Sequence, residues 1–230
     1  MTAPQFRPGV LFAAAVLIAC WLSSALTGTS ALGSEKRAPS LSRSEPRANS
    51  ARFRIDAAQS RFMVRAFAGG FLSAFAHDHN IAIRDLGGEA DFTYGTVEPA
   101  SLHITIKADS LVVTDKISES DRQKIQGTMR DEVLEVSKYP EIVFKSSGIS
   151  ATKSGEGQYQ ARIAGELTLH GVTRPLTINA QLEFGDKTLR AKGTFALKQS
   201  SFDIKPVSVA GGTIKVKDEL KFTFDIVAHP

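Results

Sequence analysis

Tyr159–Phe184 reads YQARIAGELTLHGVTRPLTINAQLEF. On its first arm Ala161, Ile163, Gly165, Leu167 and Leu169 share one side, while Arg162, Glu166, Thr168 and His170 fall mostly on the other. The segment Gly171-Val172-Thr173-Arg174-Pro175 reads as a turn. After it Leu176, Ile178, Ala180, Leu182 and Phe184 point one way, and Thr177, Asn179, Gln181 and Glu183 the other. Alternation of period two on both sides of a Gly/Pro turn predicts a hairpin with one apolar and one wet face. That apolar face must be covered by other elements.

The same pattern recurs outward in both directions. Short strands are expected at Phe53–Asp56, Gln59–Ala68, Leu86–Thr93, Leu102–Ala108, Leu111–Val113 and Ile142–Ile149. Leu189–Lys198 and the long run from Ile214 to Ala228 follow the hairpin. Ser200–Gly212 reads as a loop with a short strand around Phe202, and Phe71–Ala76 (FLSAFA) fits either a helical turn or a strand start. One helix is expected between Ser118 and Ser137. Ser118 and Asp121 form a capping box, and Ile125, Met129, Val133 and Val136 recur at helical spacing. Gly127 is a candidate break, and Tyr139-Pro140 ends the segment. Eight or nine one-faced strands with a single helix predict an all-β fold, a closed antiparallel barrel of about eight strands.

Gly88, Ala90, Ala108, Gly148, Ala161, Gly165, Ala180, Ala191 and Gly193 fall on inner faces. Two readings stay open. Small residues leave lumen volume for one small ligand, or the glycines let strands bend at barrel corners. On the first reading, leucine at Gly165 or Gly193 would fill the channel without unfolding the barrel.

The chain has 230 residues and a formal net charge of +4. Arg7 precedes an apolar run from Val10 to Leu26, the pattern of an export signal or a short membrane anchor over residues 1–31. Leu17-Ile18-Ala19-Cys20 is similar to a lipoprotein box, with Cys20 as the residue to be acylated. Residues 32–51, rich in Ser, Pro, Arg and Ala, read as a flexible linker, and residues 52–230 as the barrel domain. A single cysteine excludes an internal disulfide. No segment of the folded part carries a basic run interleaved with aromatics, so a nucleic-acid protein is not expected.

Two stretches resemble signatures of the YceI-like family: Tyr139-Pro140-Glu141-Ile142-Val143-Phe144-Lys145-Ser146, and Gly165-Glu166-Leu167-Thr168-Leu169-His170-Gly171-Val172-Thr173-Arg174-Pro175-Leu176. Phe53-Arg54-Ile55-Asp56 with Ser60 and Phe62-Met63-Val64 resembles that family's opening hairpin. The resemblance implies an extended lipocalin-like barrel with a helix packed at one side. It implies export to the bacterial periplasm, no catalysis, and binding of a long apolar molecule, a polyisoprenoid or isoprenoid quinone. A membrane electron-transport partner and a homodimer stay open. FLSAFAHDHNIAIRD and Met129-Arg130-Asp131-Glu132-Val133-Leu134 depart from the family's usual segments.

The expected barrel lining is Phe62, Val64, Phe92, Ile104, Phe144, Leu167, Phe195, Phe222 and Phe224. His77 and His79, two residues apart on an extended segment, point the same way, and neutral imidazoles ligate divalent metals. Asp218, a charge on an apolar strand face, is the candidate third group. The alternatives are a hydrogen-bonded barrel mouth, or donors to a quinone carbonyl or lipid headgroup. His103, His170 and His229 are expected to face solvent.

Overall fold

The computed structural model describes residues 50–70, 77–93, 97–98 and 100–230. The expected export signal or anchor with Cys20, the expected linker through residue 49 and the Phe71–Ala76 run lie outside the described residues. The strands are β1 (Ser50–Ile55), β2 (Arg61–Gly69), β3 (His79–Ile83), β4 (Leu86–Thr93), β5 (Ala100–Lys107) and β6 (Leu111–Val113). After the helix α1 (Glu119–Thr128) come β7 (Glu141–Gly155), β8 (Gln158–Leu169), β9 (Val172–Phe184), β10 (Leu189–Lys198), β11 (Ser208–Val209) and β12 (Ile214–His229).

Three of the eight staves are broken. β1 and β2 run in line, interrupted at Asp56–Ser60, where the Asp56 carboxylate accepts from the backbone N–H groups of Ala58 and Gln59. β3 with β4, and β5 with β6, likewise form two kinked staves. Each stave pairs antiparallel with the next through β7, β8, β9, β10 and β12, and β12 returns to β2 and β1. The result is a closed eight-stranded antiparallel barrel. Closure leaves every stave a neighbour on both sides, which removes the open edges that a one-faced sheet would expose. The inward alternation buries Phe53, Phe62, Val64, Ile106, Phe144, Ile163, Leu167, Phe224 and Ile226 in one core.

The wall is incomplete beyond β5. Its ladder with β7 ends at the pair Lys107–Glu141, so β6 faces the helix. Helix side chains take over the backbone groups there. The Val113 N–H donates to Gln126 Oε1 at 3.0 Å, and the Arg122 guanidinium donates to the Val113 and Asp115 carbonyls. Val113 is completely buried, so losing its acceptor strands a donor out of water. Gln126→Ala is expected to lower stability by about 1–3 kcal/mol in urea unfolding.

The helix begins as expected. Ser118 Oγ accepts from the Asp121 N–H at 3.1 Å and donates to Asp121 Oδ2 at 2.7 Å. Its end differs. Gly127 stays helical, and the chain widens to a π turn at Met129–Val133, where the Leu134 N–H reaches the Met129 carbonyl at 2.9 Å. Glu135 then adopts φ 44° and leaves the helix before Tyr139-Pro140.

The organising hairpin is tighter than expected. The link between β8 and β9 is only His170-Gly171, with φ of 52° and 74°. Positive φ at both residues is the two-residue turn that matches strand twist. Val172 to Pro175 already belong to β9. Pro175 is tolerated because β9 meets β10 only from Ala180 to Phe184, so at residue 175 the missing N–H is not needed for a ladder on that side.

Two inner glycines are occupied rather than empty. A Cβ on Gly165 would lie 2.4 Å from the Lys145 carbonyl and 2.6 Å from the Phe144 ring; on Gly193 it would lie 2.5 Å from the Phe224 ring and 2.6 Å from the Asn179 carbonyl. Each glycine is the floor on which a phenylalanine lies, so leucine there cannot simply fill a channel. Gly148 is not an inner residue. A bulge at Ser147 shifts the phase, and Gly148 is exposed. Phe202 sits buried in a 3-10 turn, Gln199–Phe202, and the short strand comes later, as β11.

Candidate functional site: an apolar lumen

Inside the barrel lies a cavity of about 110 Å³ lined only by apolar residues. Of the expected lining residues, Phe62, Ile104, Phe144, Leu167, Phe195 and Phe224 stand on its wall. Val64 and Phe92 are buried in the core without lining it, and Phe222 stacks on Phe195 with ring centroids 4.7 Å apart. The wall also includes Leu102, Ile142, Leu176, Ile178 and Ala191, legible as inward strand positions but not by any chemical mark. An apolar cavity of this size has nothing to hold a water and stays dry; an engineered one of about 150 Å³ takes benzene. The described space has room for only a short segment of an apolar chain. More requires the Phe62, Phe195, Phe222 and Phe224 rings, whose mutual centroid distances run from 4.7 to 6.4 Å, to swing aside.

The cavity reaches a seam in the wall. The β9–β10 ladder stops at the pair Gly193–Ala180, and beyond it the strands diverge. Leu176 and Ile178 form one lip and Phe195 the other; all three line the cavity and all are only half-buried. The turn at Gln199–Phe202 crosses the gap, held to β9 by Arg174 Nε donating to the Ser201 carbonyl at 3.0 Å.

The histidine pair lies elsewhere, at the start of β3. The His77 and His79 rings meet edge to face at 4.9 Å. His79 Nδ1 is 2.8 Å from Asp115 Oδ2, which makes Asp115, not Asp218, the carboxylate of this cluster. Asp78 faces Arg65 and the Ala68 N–H instead. Asp218 leaves the apolar face because β12 bulges between Val216 and Leu220; its carboxylate accepts from Ser200 N–H and Oγ at 2.8 and 2.6 Å. Among the described residues no three His, Cys, Asp or Glu side chains stand close enough to share a metal ion.

Burial pushes the Asp115 carboxyl up, but hydrogen bonds from His79 and from the Asn80 backbone and side-chain N–H groups outweigh it and hold it below the usual carboxylate range. A depressed folded-state value stabilises the fold above the unfolded value, about 3.9, and that contribution disappears as pH falls through the folded value. Asp115→Asn should therefore cost stability at pH 7, and the gap to the unsubstituted protein should narrow as pH drops below about 4, in urea unfolding at each pH.

His170 is not solvent-exposed. Its ring lies 4.5 Å from that of Tyr139 and its Nε2 is 2.6 Å from Glu135 Oε2. A Cβ on Gly171 would meet the Tyr139 ring at 2.5 Å. The two stretches that carry the family resemblance thus pack on each other at one corner, and they also send Ile142, Phe144, Leu167 and Leu176 to the cavity wall.

The chain matches the YceI-like domain over residues 47–228. It is 28% identical over 148 residues to the Pseudomonas syringae pv. tomato "UPF0312 protein", covering 62% of this chain and 70% of that one. Among solved structures it resembles Burkholderia cenocepacia BcnA, with TM-score 0.56 and 18% identity, covering 75% of this chain and 98% of that one. It also resembles a polyisoprenoid binding domain from Saccharophagus degradans, with TM-score 0.54 and 11% identity over 77% of this chain and 97% of that one. At these identities the structural likeness establishes the fold, and the match over residues 47–228 establishes the family: the chain belongs to the YceI-like domain family.

Proposed function

We propose that this protein binds a long apolar lipid of the isoprenoid class, a polyprenyl chain or an isoprenoid quinone, in its lumen, and carries or sequesters it after export. The observation that carries this reading is the cavity wall, which is apolar throughout and opens at the β9–β10 seam. Burial of apolar surface is worth roughly 25 cal/mol per Å², so a chain needs few polar contacts to be held. The polyisoprenoid binding domain of Saccharophagus degradans shares the fold and supports the same ligand class. In this reading the barrel performs no catalysis. An exported, periplasmic protein tethered through residues 32–51, with or without acylation at Cys20, fits the N-terminal sequence.

The test is organic extraction of the purified full chain followed by mass spectrometry of the extract. The reading expects an isoprenoid lipid near one equivalent, or uptake of one from added polyprenyl alcohol or quinone. An empty barrel that takes up neither overturns it.

A further inference from the structure

The outward faces of β10, β12 and β2 carry a charge pattern that folding does not call for. Lys215, Lys217 and Lys221 of β12 are exposed and make no ion pair among the described residues, whereas Lys192 of β10 and Arg61 of β2 stand directly opposite the Asp225 carboxylate in their ladders. Lys221 stands directly opposite Arg65 in the β12–β2 ladder. Like charges facing each other across strands destabilise a sheet, and Arg65 is only partly compensated by Asp78 at 2.9 Å. Amid these cations sits an aromatic ring on the wet side of β2. Phe67 is half-exposed, with the Arg65 guanidinium 5.3 Å and the Lys217 ammonium 6.0 Å from its centroid. On β1 and at the start of β4 and end of β5 the outward cations are matched. Arg52 and Arg54 of β1 pair with Glu89 and Asp91 of β4, and Lys107 pairs with Asp85.

We infer that this face docks on an anionic lipid bilayer, with Phe67 entering the headgroup boundary and the lysines over acidic headgroups. Cations near a membrane surface gain from its negative potential, and an aromatic ring flanked by cations suits the interface. The partner's identity follows from position. The inner faces of these same strands contribute Phe62, Phe195 and Phe224 to the apolar cavity, and β10 is one lip of the half-open seam. A cargo soluble only in a bilayer would then enter beside the docked face. This deepens the lipid-binding reading and rests on it for its purpose, but not for its test.

The experiment is sedimentation of the full chain with vesicles of neutral phosphatidylcholine, or of the same lipid with about one-third phosphatidylglycerol. The variant is Lys215→Thr/Lys217→Thr/Lys221→Thr, and the control is Lys145→Thr/Lys153→Thr/Arg162→Thr on the opposite staves, β7 and β8. Each surface lysine contributes about 1 kcal/mol, close to fivefold in partitioning, so the β12 triple should lower binding to anionic vesicles about 100-fold. Binding to neutral vesicles should hold, and co-purified lipid should be retained. Phe67→Ser should lower binding to both vesicle types about tenfold. The unsubstituted chain should fall toward its neutral-vesicle level in 0.5 M salt, a readout that depends on no variant. Equal loss in both triples, or salt-insensitive binding, overturns the docking face. So does a β12 triple that loses binding to a single-stranded oligonucleotide while keeping that to vesicles. Failure of the lipid reading looks different: vesicle binding persists while no cargo is found.

Discussion

Gly165→Leu is expected to abolish soluble, folded protein. The new Cβ would sit 2.4 Å from the Lys145 carbonyl, a backbone atom that cannot move without breaking the β7–β8 ladder, and 2.6 Å from the Phe144 ring. Displacing Phe144, which is 5% exposed, also empties its place in the core. Overpacking combined with a lost aromatic contact exceeds the 4–5 kcal/mol that marks exceptional substitutions, against a total stability of about 5–15 kcal/mol for a domain. Gly193→Leu should behave alike, since its Cβ meets the Phe224 ring and the Asn179 carbonyl. Gly127→Ala is the contrast. That glycine has open space around it in α1, so alanine should stabilise by about 0.5–1 kcal/mol. Soluble yield and urea midpoints of the three variants provide the check. A Gly165→Leu protein with native-like stability would mean that the Phe144–Gly165 contact does not exist.

Ala191→Phe is expected to remove lipid binding while leaving a folded barrel. Ala191 lines the cavity from β10, is only half-buried, and pairs with Ile226 and Leu182 in intact ladders. A phenyl ring at that position is about the size of the benzene that fits an engineered apolar cavity of about 150 Å³, so it would occupy most of the 110 Å³ present. Inserting carbon into a packed interior costs about 1–3 kcal/mol, which a closed barrel can absorb. Lipid per protein, measured by extraction, should fall at least tenfold while the unfolding transition stays cooperative. Undiminished lipid in a folded Ala191→Phe protein would place the ligand outside this cavity.

The barrel was legible because its signal is local. Alternation in Ala161–Leu169 and Leu176–Phe184 specifies which side chains face inward before any partner is known, and those residues do face the core. What was not legible depends on contacts distant in sequence. Pro175 reads as a turn residue, yet it lies within β9 because the neighbouring strand has diverged there. Gly165 and Gly193 read as free volume, but rings from adjacent strands lie over them. Asp218 breaks the alternation and so reads as an inward charge, whereas a bulge turns it toward Ser200. His79 was visible as chemistry, but its partner Asp115 is set by the β3–β6 ladder. The basic face escaped notice for the same reason. Arg65 and Lys221 are far apart in the chain and face each other only once β2 and β12 pair, which also brings Lys217 beside the Phe67 ring.

The central claim is that an apolar chain occupies the lumen, and photolabelling tests it most directly. A polyprenyl analogue carrying a diazirine on its chain would be bound, irradiated, and the labelled positions mapped by peptide mass spectrometry. Labels on inward residues at the cavity and its seam, Ile178, Phe195 and Phe224, are the predicted result. Labels confined to outward neighbours on the same strands, such as Thr177, Thr194 and Thr223, would contradict it, for they would place the lipid on the wall's wet face.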